Sequence, residues 1–129
     1  PGMLKGERKW GALRGCAAFI LPSHQENFGI VVAEAMACGR PVLITDKVNI
    51  WREIEEARAG LVAPDDLAGV ASLLERYLAL PAEEREAMGE RARDLFRRQF
   101  SIESAAADLV RAVRESIAAA SRHPTPLVA

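Results

Sequence analysis

An α/β fold built on parallel strands is predicted for this chain by three features. These are short unbroken apolar runs, helical stretches between them, and glycine or proline at the joints. The first run, Ala17-Ala-Phe-Ile-Leu21, is closed by Pro22 and reads as a buried strand over 17–22. Pro41-Val-Leu-Ile-Thr45 is the second, and Gly60-Leu-Val-Ala63, closed by Pro64, is the third. Strands and helices that alternate in this way form βαβ units with right-handed crossovers.

The helices follow in order. Ahead of the first strand, Leu4, Trp10 and Leu13 can cover one side of a short helix, held by packing because each glycine among residues 1–15 weakens it by about 1 kcal/mol relative to alanine. A helix over about 29–38 stops at Gly39-Arg40, and another over roughly 49–57 leads to the third strand. Asp65 or Asp66 can cap the next helix, where Val70, Leu73, Leu74, Tyr77 and Leu78 form a core-facing stripe. Pro81 starts a further helix with Glu83, Glu84 and Glu86 early and Arg97 and Arg98 late, the order that complements the helix dipole. Ser101 caps the last helix, whose Ile102, Ala106, Leu109, Val113 and Ile117 share one apolar side. Residues 121–129 have no period and read as a flexible tail. Trp10 and Trp51 read as core or interface anchors.

A doubly wound Rossmann-like sheet usually has about six strands. The prediction is therefore a partial Rossmann-like α/β unit, with about three parallel strands, flanking helices and two or more C-terminal helices. At 129 residues it is one domain, and 50% hydrophobic with 27% charged residues is ordinary globular composition. The net charge of −1 with no basic block argues against nucleic acid as a partner. No run approaches about eighteen apolar residues, so no transmembrane segment is predicted. Cys16 and Cys38 sit in apolar company without metal-ligand spacing to His24 or His123, which fits reduced thiols, no metal site and a cytoplasmic location.

The stretch that carries chemistry runs from Pro22 to Gly39. Its loop leaves the carboxyl end of a parallel strand, where open α/β sheets bind ligands, and the helix behind it offers free N–H groups and a positive dipole end to an anion. Gly29 lets a bound group approach the backbone. From Ile30 to Cys38 the only charge is Glu34, eight positions after Glu26. A buried carboxylate must be paired, reach water or hold a ligand. Two carboxylates beside a helix-start anion site suit a phosphorylated polyol; the bland alternatives are an ion pair from Glu34 to Lys9 or Arg40 and a solvated Glu26. His24 reads as a hydrated turn residue, and the roles of Thr45, Asp46 and Lys47 stay open.

Leu21-Pro22-Ser23, Glu26-Asn-Phe-Gly-Ile30, Glu34-Ala-Met-Ala-Cys-Gly39 and Pro41-Val42 resemble the E-x7-E signature of retaining GT-B glycosyltransferases of the family-4 (group 1) type. The likeness continues through Thr45–Ile54 and Gly60–Val62 and covers about residues 2–113. It implies a nucleotide-diphosphate sugar as co-substrate, no cofactor and no bound metal. It also implies that Glu34 accepts hydrogen bonds from the ribose hydroxyls and that Glu26 is catalytic, beside the donor hexose. Asn27, Phe28, Gly29, Ile30 and Val31 complete the donor site, the last four through backbone N–H groups.

By the same resemblance, residues 1–120 are the later part of the C-terminal donor-binding domain. The acceptor, a glycan or lipid-linked glycan of polysaccharide biosynthesis, would be held by an N-terminal domain that this chain lacks. The isolated fragment is then expected to be inactive. The longer protein would be cytoplasmic or peripheral at the inner face of the membrane. The strand at 17–22, without its natural neighbour, presents an edge ready to pair, which predicts self-association. Two other readings stay open, a non-catalytic interaction module or remnant and a nucleotide-sugar epimerase-like enzyme.

Overall fold

The computed structural model describes residues 2–122; of the tail expected over 121–129, residues 121 and 122 belong to the last helix, and the rest lies outside the described residues. Three parallel strands form one sheet in the order β1 (Phe19–Leu21), β2 (Val42–Thr45), β3 (Gly60–Ala63). Phe19 pairs with Val42, and Val42 in turn with Gly60. The fold class is the expected one, a partial Rossmann-like α/β unit. The first strand is shorter than the expected 17–22, three residues long, and its outer edge is unpaired among the described residues.

Alternation along β2 builds two core layers, because successive side chains leave opposite faces of a strand. Val42 and Ile44 join Leu13 of α1 (Gly6–Gly15), Val32 and Met36 of α2 (Ile30–Ala37), Ile54 of α3 (Trp51–Glu56) and Leu95 of α5 (Ala82–Leu95). Leu43 turns the other way, to Ala63 and to Leu73 and Tyr77 of α4 (Leu67–Ala79). Each fully buried side chain of this size contributes about 1.5–3 kcal/mol. Trp10 and Trp51 pack at the margin of the larger cluster, as anchors should. Gly60 is required where β3 meets β2, since a Cβ there would lie 1.9 Å from the Val42 carbonyl oxygen.

Several boundaries differ from expectation for identifiable reasons. α3 starts at Trp51 rather than 49, because Asn49 donates its N–H to the Glu26 carbonyl at 3.1 Å and belongs to the loop pairing described below. The expected stripe on α4 is wider than the sheet can cover: Leu73 and Tyr77 are buried, while Leu74 and Leu78 face solvent. α5 ends at Leu95, and Phe96–Phe100 continue as a π-helical segment, so Arg97 and Arg98 lie beyond its regular part. Ser101 then caps α6 (Ile102–Arg122), its Oγ accepting from the Ser104 N–H at 3.1 Å. The apolar side of α6 is exposed at Ile102, Leu109, Val113 and Ile117.

Candidate functional site

The loop Pro22–Gly29 is held from below before it turns into α2. Thr45 Oγ1 donates to the Ser23 carbonyl at 2.5 Å, from a threonine fully buried at the end of the central strand. Glu26 bridges to Val48 in parallel fashion, giving its N–H to the Lys47 carbonyl and receiving the Asn49 N–H on its own carbonyl, each at 3.1 Å. The two loops that leave β1 and β2 are thus laced together, and the polar residues on them stand at the carboxyl edge of the sheet.

Gly29 makes the turn into the helix. Its φ of 68° is left-handed, a region where glycine escapes a side-chain clash, and its carbonyl accepts from Val32 and Ala33 at 2.7 and 3.2 Å. The Glu26 carboxylate caps the turn by accepting the Gly29 N–H at 3.3 Å. Ile30 and Val31 are then the helix-start residues whose N–H groups have no carbonyl a turn below to bond, and the positive end of the α2 dipole lies there. Glu26, Gly29, Ile30 and Val31 are therefore brought together at one helix start. Asn27 is exposed, and Phe28 swings away to meet Phe100 edge-on at 5.7 Å between ring centroids. Ile30 is exposed.

Glu34 lies one turn further along α2 and faces α1. Its Oε1 accepts from the Lys9 Nζ at 2.5 Å, so the ion pair that the sequence allowed is present, with Lys9 and not with Arg40. The pair is not sealed, because the Glu34 side chain keeps 21% of its surface and Lys9 32%. Lys9 also lines a cleft of about 470 Å³ between α1 and the outer edge of β1, with Val31, Phe19 and Ile20. A carboxylate has two oxygens, and Lys9 engages one of them.

Beside this loop is a cluster that sequence reasoning set aside. His24 Nδ1 and Asp65 Oδ2 are 3.1 Å apart, the other Asp65 oxygen is 4.0 Å from Lys47 Nζ, and Lys47 is 3.2 Å from Asp46. The Asp65 carboxyl is held below the usual range, first by the His24 hydrogen bond, then by a backbone hydrogen bond and by Lys47. Asp66, not Asp65, is the α4 cap, accepting the Gly69 N–H at 2.7 Å. No spacing announces the His24–Asp65 contact, which joins residues 41 positions apart. The one available sign was that both follow strand ends.

Cys16 and Cys38 are free and half-buried, and burial pushes the Cys16 thiol up. Among the described residues no three His, Cys, Asp or Glu side chains group to hold a metal ion, and no helix is long and apolar enough to cross a membrane.

Fold and site together define an open α/β domain whose second helix starts at the carboxyl end of its parallel sheet. The family model described as glycosyl transferases group 1 matches residues 2–95, and the chain belongs to that family. It is similar to a D-inositol 3-phosphate glycosyltransferase of Gordonia bronchialis, 39% identical over 82 residues that make up 63% of this chain and 18% of that protein. An alpha-D-kanosaminyltransferase of Streptomyces kanamyceticus is 35% identical over 97 residues, 74% of this chain and 25% of the relative. Among solved structures, a sucrose-phosphate synthase from Thermosynechococcus elongatus superposes with a TM-score of 0.64 at 32% identity, over 78% of this chain and 25% of the synthase chain. The chain thus spans about a fifth to a quarter of the length of these relatives.

Proposed function

We propose that residues 1–120 are the later part of the C-terminal donor-binding domain of a retaining, family-4-type GT-B glycosyltransferase. The longer protein then transfers a hexose from a nucleotide-diphosphate sugar to an acceptor, with retention and without a cofactor or resident metal. The observation that carries this reading is the start of α2. There a left-handed Gly29, two helix-start N–H groups and the Glu26 carboxylate meet at the carboxyl end of β1.

Each group has a chemical part in that reading. The Ile30 and Val31 N–H groups and the dipole accept the donor diphosphate and stabilise it as it departs, where preorganised donors act most strongly. Glu26, already fixed by two backbone hydrogen bonds, orients the hexose hydroxyls and supports positive charge at the anomeric carbon. Glu34 offers its second oxygen to the ribose hydroxyls while Lys9 holds the first in place. Charge-assisted hydrogen bonds of that kind contribute about 1.5–3 kcal/mol each.

Titration calorimetry with uridine and guanosine diphosphate sugars tests the assignment. Glu34→Ala is expected to weaken donor binding about tenfold or more, which corresponds to about 1.4 kcal/mol. If the Lys9–Glu34 pair is only structural, the variant melts earlier and binds donor unchanged, and the donor role fails.

The unpaired outer edge of β1, with Ile20 exposed on it, supports the further reading that two chains associate there. Light scattering at high protein concentration is expected to show a dimer or larger species. A strictly monomeric solution counts against it.

A further inference from the structure

At the far end of α2 the chemistry reverses. The helix closes on Gly39, left-handed at φ 69°, and the Arg93 guanidinium lies flat against that glycine, where a Cβ would come within 2.5 Å of Nη2. Two adjoining concavities open here, of about 340 and 560 Å³, and Arg40 and Arg93 wall both. Arg85 joins them in the smaller, and Arg14 and Arg97 in the larger. Glu86 and Glu90 stand exposed at the rim of the smaller, while no carboxylate lines the larger.

These cations have little to answer them. Among the described residues, Arg40, Arg85 and Arg93 form no ion pair. Arg14 and Arg97 have only exposed contacts at 3.8 Å, to Glu7 and Asp94, of the kind that contributes little. The Nε atoms of Arg40 and Arg85 are buried without a hydrogen-bond acceptor. Such orphaned charged donors are costly and call for an explanation. The carbonyl end of α2 accounts for one N–H of Arg93, which reaches the Cys38 oxygen at 3.4 Å, and the Tyr77 ring, 5.6 Å away, accounts for where the Arg85 plane lies. Neither satisfies the buried Nε groups. A water would satisfy a donor but leave the charge, whereas an oxyanion answers both.

We propose that this concavity binds a phosphoryl-type oxyanion, at a site separate from the crevice at the start of α2. Guanidinium forks match the geometry of phosphate oxygens, and the neighbouring Trp10 ring offers a wall for an organic group attached to the phosphate. An eight-residue helix separates the two sites by about 12 Å. The phosphoryl group can come from a small free molecule or from a lipid headgroup.

Calorimetry of the protein with inorganic phosphate at constant ionic strength is expected to show binding that the Arg40→Gln/Arg93→Gln pair weakens about tenfold. The unfolding temperature should also rise with phosphate and not with chloride at matched ionic strength, a readout that needs no variant to fold. Sedimentation with phosphatidic acid vesicles, and not with phosphatidylcholine vesicles, identifies a headgroup; phosphate binding without sedimentation identifies a free ligand. The proposal is overturned if neither phosphate nor acidic vesicles bind. It is equally overturned if binding survives loss of both arginines.

Discussion

The two ends of α2 carry opposite charge, and each complements the helix dipole, but they treat their charges differently. At the start, three acidic groups have hydrogen-bond partners and the fourth, Asp46, has an ion pair with Lys47: Glu26 takes the Gly29 N–H, Glu34 takes Lys9, and Asp65 takes His24. At the finish, Arg40, Arg85 and Arg93 gather with no carboxylate bonded to any of them among the described residues. Like charges so placed repel one another, and the dipole offsets only part of that, by about 0.3–1 kcal/mol for a charge near a helix end. A satisfied set is rigid before any ligand arrives, which suits a site that must position a reacting group. An unsatisfied set is completed by what binds, which suits a site whose occupancy changes stability.

The largest effect is expected where α5 presses on the finish of α2. A Cβ at Gly89 would stand 2.4 Å from the Gly39 carbonyl oxygen, a backbone atom that cannot swing aside. Gly89→Ala must push α5 away from the helix end, carrying Arg93 with it. Overpacking of this kind costs about 1–3 kcal/mol, and more where backbone is the obstacle. The unfolding free energy from urea titration should fall by that amount, and phosphate should protect the variant less than the parent. A variant as stable as the parent would mean that the two helices are not locked together and that the arginine cluster is not preorganised by this contact.

What could be read in advance followed local chemistry. Proline and glycine fenced each apolar run, so Pro22, Gly39 and Pro64 located the strands and their order. Ser101 was legible as a cap because capping is set within three residues. The turn into α2 was legible because Gly29 marked it, whereas the left-handed conformation of Gly29 and its cap by Glu26 came only with the structure. The misses all required distance. The lacing of Glu26 to Lys47–Asn49 shortened α3 from outside it, and no periodicity reports a bridge between two loops. The exposed Leu74 and Leu78 followed from how far a three-stranded sheet extends, not from the α4 stripe itself. Arg85 and Arg93 share α5 while Arg40 follows α2, and the three looked like ordinary surface charges until the packing of α5 on the end of α2 brought them to one wall. His24 and Asp65 were likewise invisible as a pair.

A smaller effect distinguishes the paired end by its response to acid. The Asp65 carboxyl is depressed, chiefly by the His24 hydrogen bond, then by a backbone hydrogen bond and by Lys47, with Asp46 also within reach of that lysine. A depressed acid stabilises the fold fully above its unfolded value, near 3.8, and loses that contribution as pH falls through the lowered folded value. Asp65→Asn should therefore lower the urea midpoint at neutral pH, and the gap to the parent should close below about pH 4. The gap should be small and should shrink in high salt, because the pair is open to solvent. Loss of the tie between the 22–29 loop and the start of α4 should also loosen the Glu26 turn, and amide exchange at Gly29 reads this directly. A gap that persists unchanged at pH 3 would place the stabilisation in shape rather than charge, and the contrast between the two ends of α2 would then rest on the arginines alone.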